Sequence, residues 1–389
     1  MKMELDMESR MDSSTTDITP GLYIHIPFCK SKCPYCNFYS ITSLTRIDEF
    51  LNALFREMEM YRETFTRFDT IYIGGGTPSL LAVEHFDSIL SQIRNAFIIS
   101  PNPEITIEIN PADTAQEYLE SLRQLGGNRL NIGVQSFDDT VLAFLKRRHS
   151  VHQALDTIET ARKAGFENIG IDLIYGVPGQ DMDSWLDTVS QALSFEAAHI
   201  SCYQLTIEAG TPLGLRHGRG EFVSPDEDLQ HAFFIKTSET LENAGYVHYE
   251  VSNFAKDMSL ASKHNQKYWN HTPYLGLGPA AHSFTGHKRW WNHSSLDEYI
   301  RDIETEKPPL NASEMLDSEQ LYLEALFLGL RTKMGIQLHN FSEKYGYDLI
   351  SEKGDALARL AKAGFVEIKN GYLQPTRNGL AVADTLALI

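Results

Sequence analysis

The chain has 389 residues with 52 acidic against 34 basic side chains, a formal charge of −18, and 42% hydrophobic and 22% charged residues. This hydrophobic content supports a sizeable core and excludes bulk disorder, and the length calls for a large barrel-type or doubly wound unit with a smaller one behind it. So acidic a surface repels phosphate backbones, which sets nucleic acid aside as a partner.

Residues 1–20 are polar and acidic without an apolar run, so they read as a flexible leader with no secretory signal or membrane span, and the chain is expected in the cytoplasm. From Leu22 to about Leu205, short β-rich runs alternate with amphipathic stretches. Strands are predicted at Leu22–Ile26, Thr70–Ile73, Glu104–Ile109, Arg129–Val134, Asn168–Ile174 and His199–Leu205. Apolar residues recur at helical spacing over Ile47–Tyr61, Leu80–Arg94, Ala115–Leu125 and Val151–Ala164, and Gly165 is a natural left-handed cap after the last of these. About six βα units predict an incomplete barrel, whose chemistry should gather at the C-terminal strand ends.

Beyond Leu205 come a loop rich in Gly and Pro (209–220), a helix from about Pro225 to Ala244, and a stretch rich in Gly and aromatics, 246–291. From Ser318 the pattern is helix (Ser318–Leu330), helix (His339–Tyr345), helix (Leu349–Ala363) and two short β runs near Phe365–Ile368 and Tyr372–Pro375. Three helices and a hairpin resemble a winged-helix module, a shape usually associated with DNA, but the acidic balance favours a lid or docking surface. The predicted fold is α/β, a partial (β/α)6 TIM-like barrel with a C-terminal winged-helix-like α+β module. Its expected divisions are a leader (1–20), the barrel (21–220), a barrel extension and connecting region (221–313) and the C-terminal domain (314–389).

Four cysteines occur, and Cys29, Cys33 and Cys36 fall within eight residues on a loop leaving the first strand, which points to metal binding and not to a disulfide framework. Three thiolates from one compact loop leave one iron of a 4Fe-4S cube without a protein ligand, and an open iron can bind a small molecule. Cys202 is available in principle as a fourth ligand but suits a buried small hydrophobe better. Zinc is the alternative; it needs a fourth donor, and His25 is the obvious one. After the second strand, Gly74-Gly75-Gly76-Thr77-Pro78 offers backbone groups to a polar ligand, although glycines also build tight turns. Glu108, Gln135 and Asp172 lie near the ends of the next three strands, and Arg147 stands in the basic run Lys146–His149. Asp172 interrupts an apolar strand, so it needs a polar ligand or an arginine beside it.

The C-x3-C-x2-C pattern with Tyr35 before its third cysteine resembles the radical SAM superfamily. That resemblance implies a 4Fe-4S cluster that chelates S-adenosylmethionine and cleaves it to a 5'-deoxyadenosyl radical. It also implies cofactor contacts at Tyr23, Tyr35, Gly75, Gly76, Thr77, Glu108, Gln135, Arg147 and Asp172. The segments Tyr23–Phe28, Tyr249–Ala255, His264–Trp269 and Tyr274–Ser283 are similar to the oxygen-independent coproporphyrinogen oxidase group, and within it most to HemW-type heme chaperones. The oxidases carry a further cysteine two positions after the third, where this chain has Phe38, whereas H-N-x-x-Y-W of the chaperone branch is present as His264–Trp269. The resemblance therefore favours heme handling over decarboxylation by a coproporphyrinogen III dehydrogenase, and it leaves the catalytic residues unassigned. It implies heme, a heme-accepting protein and an electron donor as partners, with no transmembrane segment and peripheral membrane contact left open. His264, Tyr268 and Trp269 are the expected heme residues, with His282, in the Gly-rich loop, the lesser candidate and expected to line the cofactor cavity.

Overall fold

The computed structural model describes residues 19–388; the expected leader lies outside them but for Thr19 and Pro20. Six parallel strands form its centre: β1 (Gly21–Ile26), β2 (Arg67–Gly75), β3 (Ile98–Ile109), β4 (Arg129–Gln135), β5 (Asn168–Tyr175) and β6 (His199–Gln204). Between successive strands the chain crosses over through helices such as Ile47–Tyr61, Val83–Ala96, Gln116–Gln124, Val151–Lys163 and Met182–Ser194. Alternation fixes the two faces. Leu22, Ile24 and Ile26 of β1 are wholly buried in the layer beneath the helices, leaving Tyr23 and His25 for the concave side. Gly165 takes φ +87° after the helix Val151–Lys163, the left-handed cap expected there.

The sheet does not stop at six strands. β7 (Val247–Glu250) and β8 (Asn253–Ala255) add antiparallel beside β6. The chain then crosses to the other edge, where β9 (Tyr274–Leu277) lies parallel to β1, followed by β10 (His282–Phe284), β11 (Lys288–Asn292) and β12 (Leu310–Met315). The order is β12-β11-β10-β9-β1-β2-β3-β4-β5-β6-β8-β7, an open sheet of twelve strands in which the two ends do not pair. The Gly- and aromatic-rich stretch 246–291 thus supplies most of both flanks of the central sheet, and β12 beyond it completes one edge.

The C-terminal part has its own core around Leu326, Leu330, Leu357 and Leu373. Helices Ser318–Gly329, Leu338–Tyr345 and Leu349–Lys362 pack with a three-stranded antiparallel sheet of β13 (Ile336–Gln337), β14 (Val366–Lys369) and β15 (Tyr372–Pro375), ordered β13-β15-β14. Arg377 ties this part to the rest through Ser238 (2.9 Å) and Glu242 (2.5 Å). No described helix is long and apolar enough to cross a membrane.

Candidate cofactor site

At the C-terminal ends of β1–β6 lies a cavity of about 530 Å³. The loop after β1 carries Cys29, Cys33 and Cys36 to its wall, each half-buried and free. Two donors reach the sulfurs: the Thr77 hydroxyl donates to Cys29 Sγ (3.4 Å), and Arg147 Nη1 donates to Cys33 Sγ (3.5 Å). Arg147 also holds the Gly133 carbonyl through Nη2 (2.8 Å). Beneath the loop, the buried Asp113 carboxylate accepts from Lys30 (2.9 Å) and Arg148 (2.5 Å), fixing the cysteine segment to the loop after β3.

The glycine run answers first to protein packing. A Cβ on Gly76 would lie 2.6 Å from the Phe28 carbonyl and 2.7 Å from that of Ile26, and one on Gly75, at φ +104°, would enter the His25 ring at 2.5 Å. Only glycine lets the end of β2 tuck beneath the cysteine loop. Gly75 N–H then donates to Glu108 (3.0 Å), and Tyr72 O–H donates to the same carboxylate (2.7 Å). Burial pushes Glu108 up to about 7, with Asp172 adding to the rise against the lowering from Tyr72, Gly75 and Arg129. Asp172 accepts from Asn131 Nδ2 (2.6 Å) and is likewise raised by burial.

The cavity wall contains Tyr35, Gly75, Gly76, Thr77, Glu108, Gln135, Arg147 and Asp172, so all the expected cofactor residues but Tyr23 meet there. Tyr23 spends its hydroxyl on His25 Nδ1 (3.0 Å), while His25 Nε2–H donates to the Tyr39 carbonyl (2.9 Å). Both nitrogens of His25 are thus engaged, which removes it as a fourth metal donor. Cys202, on β6, is buried in the core. Gln135 sits at φ +68°, a backbone conformation that costs a side-chain-bearing residue roughly 1–2 kcal/mol and turns the end of β4 into the cavity.

Sequence reasoning passed over Tyr72, Asn131 and Arg129. Arg129 is only 1% exposed at the start of β4, with Nε and Nη2 unpartnered. Its signal was present: Arg and Asn punctuate the otherwise apolar strand Arg-Leu-Asn-Ile-Gly-Val, as Asp172 does β5.

The donor set suits a multi-iron cluster with a zwitterionic, cationic ligand. Among the described residues no three His, Cys, Asp or Glu side chains converge as a single ion requires. Two buried polar atoms on the wall, Asp172 Oδ1 and Arg147 Nε, have no partner within the protein, and one is an acceptor for a cation, the other a donor for a carboxylate.

The expected heme residues lie elsewhere. His264 heads the short helix Lys263–Trp269, is 1% exposed, and has both ring nitrogens occupied, Nδ1 with Thr70 Oγ1 (2.9 Å) and Nε2 with Tyr268 O–H (2.8 Å). The Glu104 carboxylate accepts from the N–H groups of His264 (2.9 Å) and Lys263 (3.0 Å) at the helix start. Trp269 is half-buried beneath the Arg331 guanidinium. Of the three, Tyr268 alone lines either the cysteine pocket or a second cavity on the β9–β12 flank, and it lines the second; His282 lines that cavity and not the cysteine pocket.

The model of the radical SAM superfamily matches residues 23–192, and that of the HemN C-terminal domain matches residues 316–382. Heme chaperone HemW of Bacillus subtilis is 35% identical over 92% of this chain and 95% of its own, and that of Mycobacterium tuberculosis 33% over 94% and 93%. This chain belongs to the HemW family of radical SAM proteins. A bovine relative, radical S-adenosyl methionine domain-containing protein 1, mitochondrial, is 32% identical over 95% of the chain and 86% of its own. Coproporphyrinogen III oxidase (HemN) from Escherichia coli, a radical SAM enzyme, shares the fold with a TM-score of 0.84 over 95% of this chain and 89% of its own, at 23% identity. Membership in the superfamily implies a 4Fe-4S cluster and S-adenosylmethionine, for which the cysteine pocket has the matching donors.

Proposed function

We propose that this protein is a heme chaperone of the cytoplasm: it holds a 4Fe-4S cluster on Cys29, Cys33 and Cys36, binds S-adenosylmethionine beside it, takes up heme and passes it to an acceptor protein. The observation that carries the reading is the match along nearly the whole chain to relatives named heme chaperone HemW. Phe38 adds to it. The residue at the place of the oxidases' further cysteine is 66% exposed at the cavity mouth, where it offers an apolar surface and no thiol.

The bound cluster supplies an electron for cleaving the sulfonium. The chain's own residues bind and orient. Glu108 and Asp172 offer carboxylates to the ammonium and sulfonium end, and a cation placed there returns Glu108 toward its ionised form. Arg147 and Thr77 donate to the thiolates, and hydrogen bonds to the sulfurs are one lever on the potential of such a centre. An electron donor and a heme acceptor complete the proposed cycle.

The test is a pair of anaerobic assays on the reconstituted full chain. Heme titration should develop a Soret band, and incubation with coproporphyrinogen III, reductant and S-adenosylmethionine should leave the substrate unchanged. Formation of protoporphyrinogen, or absence of any heme complex, would overturn the proposal.

A further inference from the structure

The second cavity, of about 370 Å³, lies on the β9–β12 flank, where the strand register puts a row of aromatic side chains on one face. Phe284 pairs with Tyr274 and with Arg289, and His282 pairs with Trp291. Paired residues share a face, so Tyr274, Phe284, His282, Trp291 and Arg289 all project to the same side. Tyr268 closes the inner end, its ring 4.7 Å from that of Tyr274, edge to face. The opposite wall comes from Glu324 and Leu328 of the helix Ser318–Gly329.

The histidines of this cavity differ. His271 is buried, with Nδ1 bonded to Tyr345 O–H (3.1 Å) and Nε2 held 3.3 Å from the Glu324 carboxylate without a hydrogen bond to it. His282 is exposed, lies nearly parallel to the Trp291 ring with centroids 5.6 Å apart, and has no hydrogen-bond partner among the described residues. Although its surface is exposed, partial desolvation by its surroundings, then Arg289, lowers its pKa and so favours the neutral imidazole, the form that ligates iron. Arg289 brings no free charge: it pairs with Glu314 (3.3 Å) and with Glu324.

We infer that this cavity is the heme seat, with His282 as the axial ligand to iron and Trp291 against the face of the macrocycle. The inference rests on the heme-chaperone reading and assigns its site. A flat apolar ring with a Lewis-acidic centre matches an aromatic cleft holding one uncommitted imidazole. With Arg289 neutralised, the propionates are left toward solvent and the hold depends on the iron bond and stacking. Such a hold is releasable, since one exchange of ligand to an acceptor's side chain frees the heme. His264, buried with both nitrogens engaged, serves instead as the support behind Tyr268.

The experiment is an anaerobic heme titration of the full chain against H282A and W291A, with the visible spectrum and thermal midpoint recorded for each. H282A should weaken heme binding by about tenfold or more and change the ferric spectrum, and added imidazole should restore the wild-type bands. W291A should weaken binding while leaving the axial-ligand bands in place. The thermal midpoint of H282A should match wild type, because His282 is exposed and its side chain makes no hydrogen bond among the described residues; that of W291A should fall, because Trp291 is half-buried on β11. Wild-type affinity and spectrum in H282A, with heme bound by the unaltered chain, would overturn this assignment and leave the chaperone reading standing. No heme complex in the unaltered chain would overturn both.

Discussion

Replacing His264 by alanine should destabilise the protein by about 3–5 kcal/mol, and the loss should be structural. The ring touches nothing exchangeable: Thr70 and Tyr268 take its two nitrogens, and the Tyr72 ring lies 5.2 Å away. Truncation leaves the wholly buried Thr70 hydroxyl and that of Tyr268 without their partner, at roughly 1–3 kcal/mol together. The space vacated by the ring adds about 2 kcal/mol. His264→Gln keeps one donor and one acceptor in place and should cost about 1–2 kcal/mol. Urea unfolding of the two variants beside wild type reads both numbers from the midpoint at constant slope. A loss below about 1 kcal/mol in H264A, or heme binding abolished in a variant of unchanged stability, would refute the reading of this motif histidine as a packed support.

Other outcomes follow from the same geometry. Glu108→Gln removes the carboxylate facing the cavity and should weaken S-adenosylmethionine binding by about tenfold, read by equilibrium dialysis; unchanged affinity would remove Glu108 from the contact set. Gly76→Ala drives a methyl into two backbone carbonyls and should cost about 2–3 kcal/mol with a fall in iron retained; a variant with wild-type stability and iron content would contradict the packing argument. Stability of the unliganded chain should peak near pH 6.5. Burial lowers His25, His149 and His248 to about 4 and His264 to about 3, so the stability of these neutral rings is full above 6.5 and is lost as pH falls through the folded values. Burial raises Glu57, Glu108 and Glu250 to about 7, so theirs is full below 4.5 and is lost as pH rises through about 7. Denaturant midpoints that climb without a maximum through pH 8 would show that other groups dominate.

The sequence carries the barrel strands and the helices between them because each is long enough to show its period. The helix Ile47–Tyr61 matches its predicted bounds, and β1–β6 differ from theirs mainly by extra residues at the ends. Four of the six flanking strands were hidden by their shortness: β8 and β10 have three residues each and β7 and β9 four, too few for alternation to register among glycines and aromatics. Local motifs were legible for the same reason in reverse. The cysteine loop and the glycine run are contiguous, so their meeting at one cavity needs only the order of the strands. What depended on cross-strand pairing was not legible. Asn131 and Asp172 are 41 residues apart, as the chain runs, and only the β4–β5 register brings them together. The side to which His264 points is set by Glu104 and Thr70 from β3 and β2, and a spacing pattern cannot express that.

The claim on which the rest stands is a cluster held by three cysteines with one iron open to S-adenosylmethionine. Electron paramagnetic resonance of the anaerobically reconstituted, dithionite-reduced chain tests it directly. A reduced 4Fe-4S signal whose g-values shift on adding S-adenosylmethionine, and which is absent from the Cys29→Ala, Cys33→Ala, Cys36→Ala triple variant, is expected. A chain without iron, or a signal indifferent to S-adenosylmethionine, would contradict it.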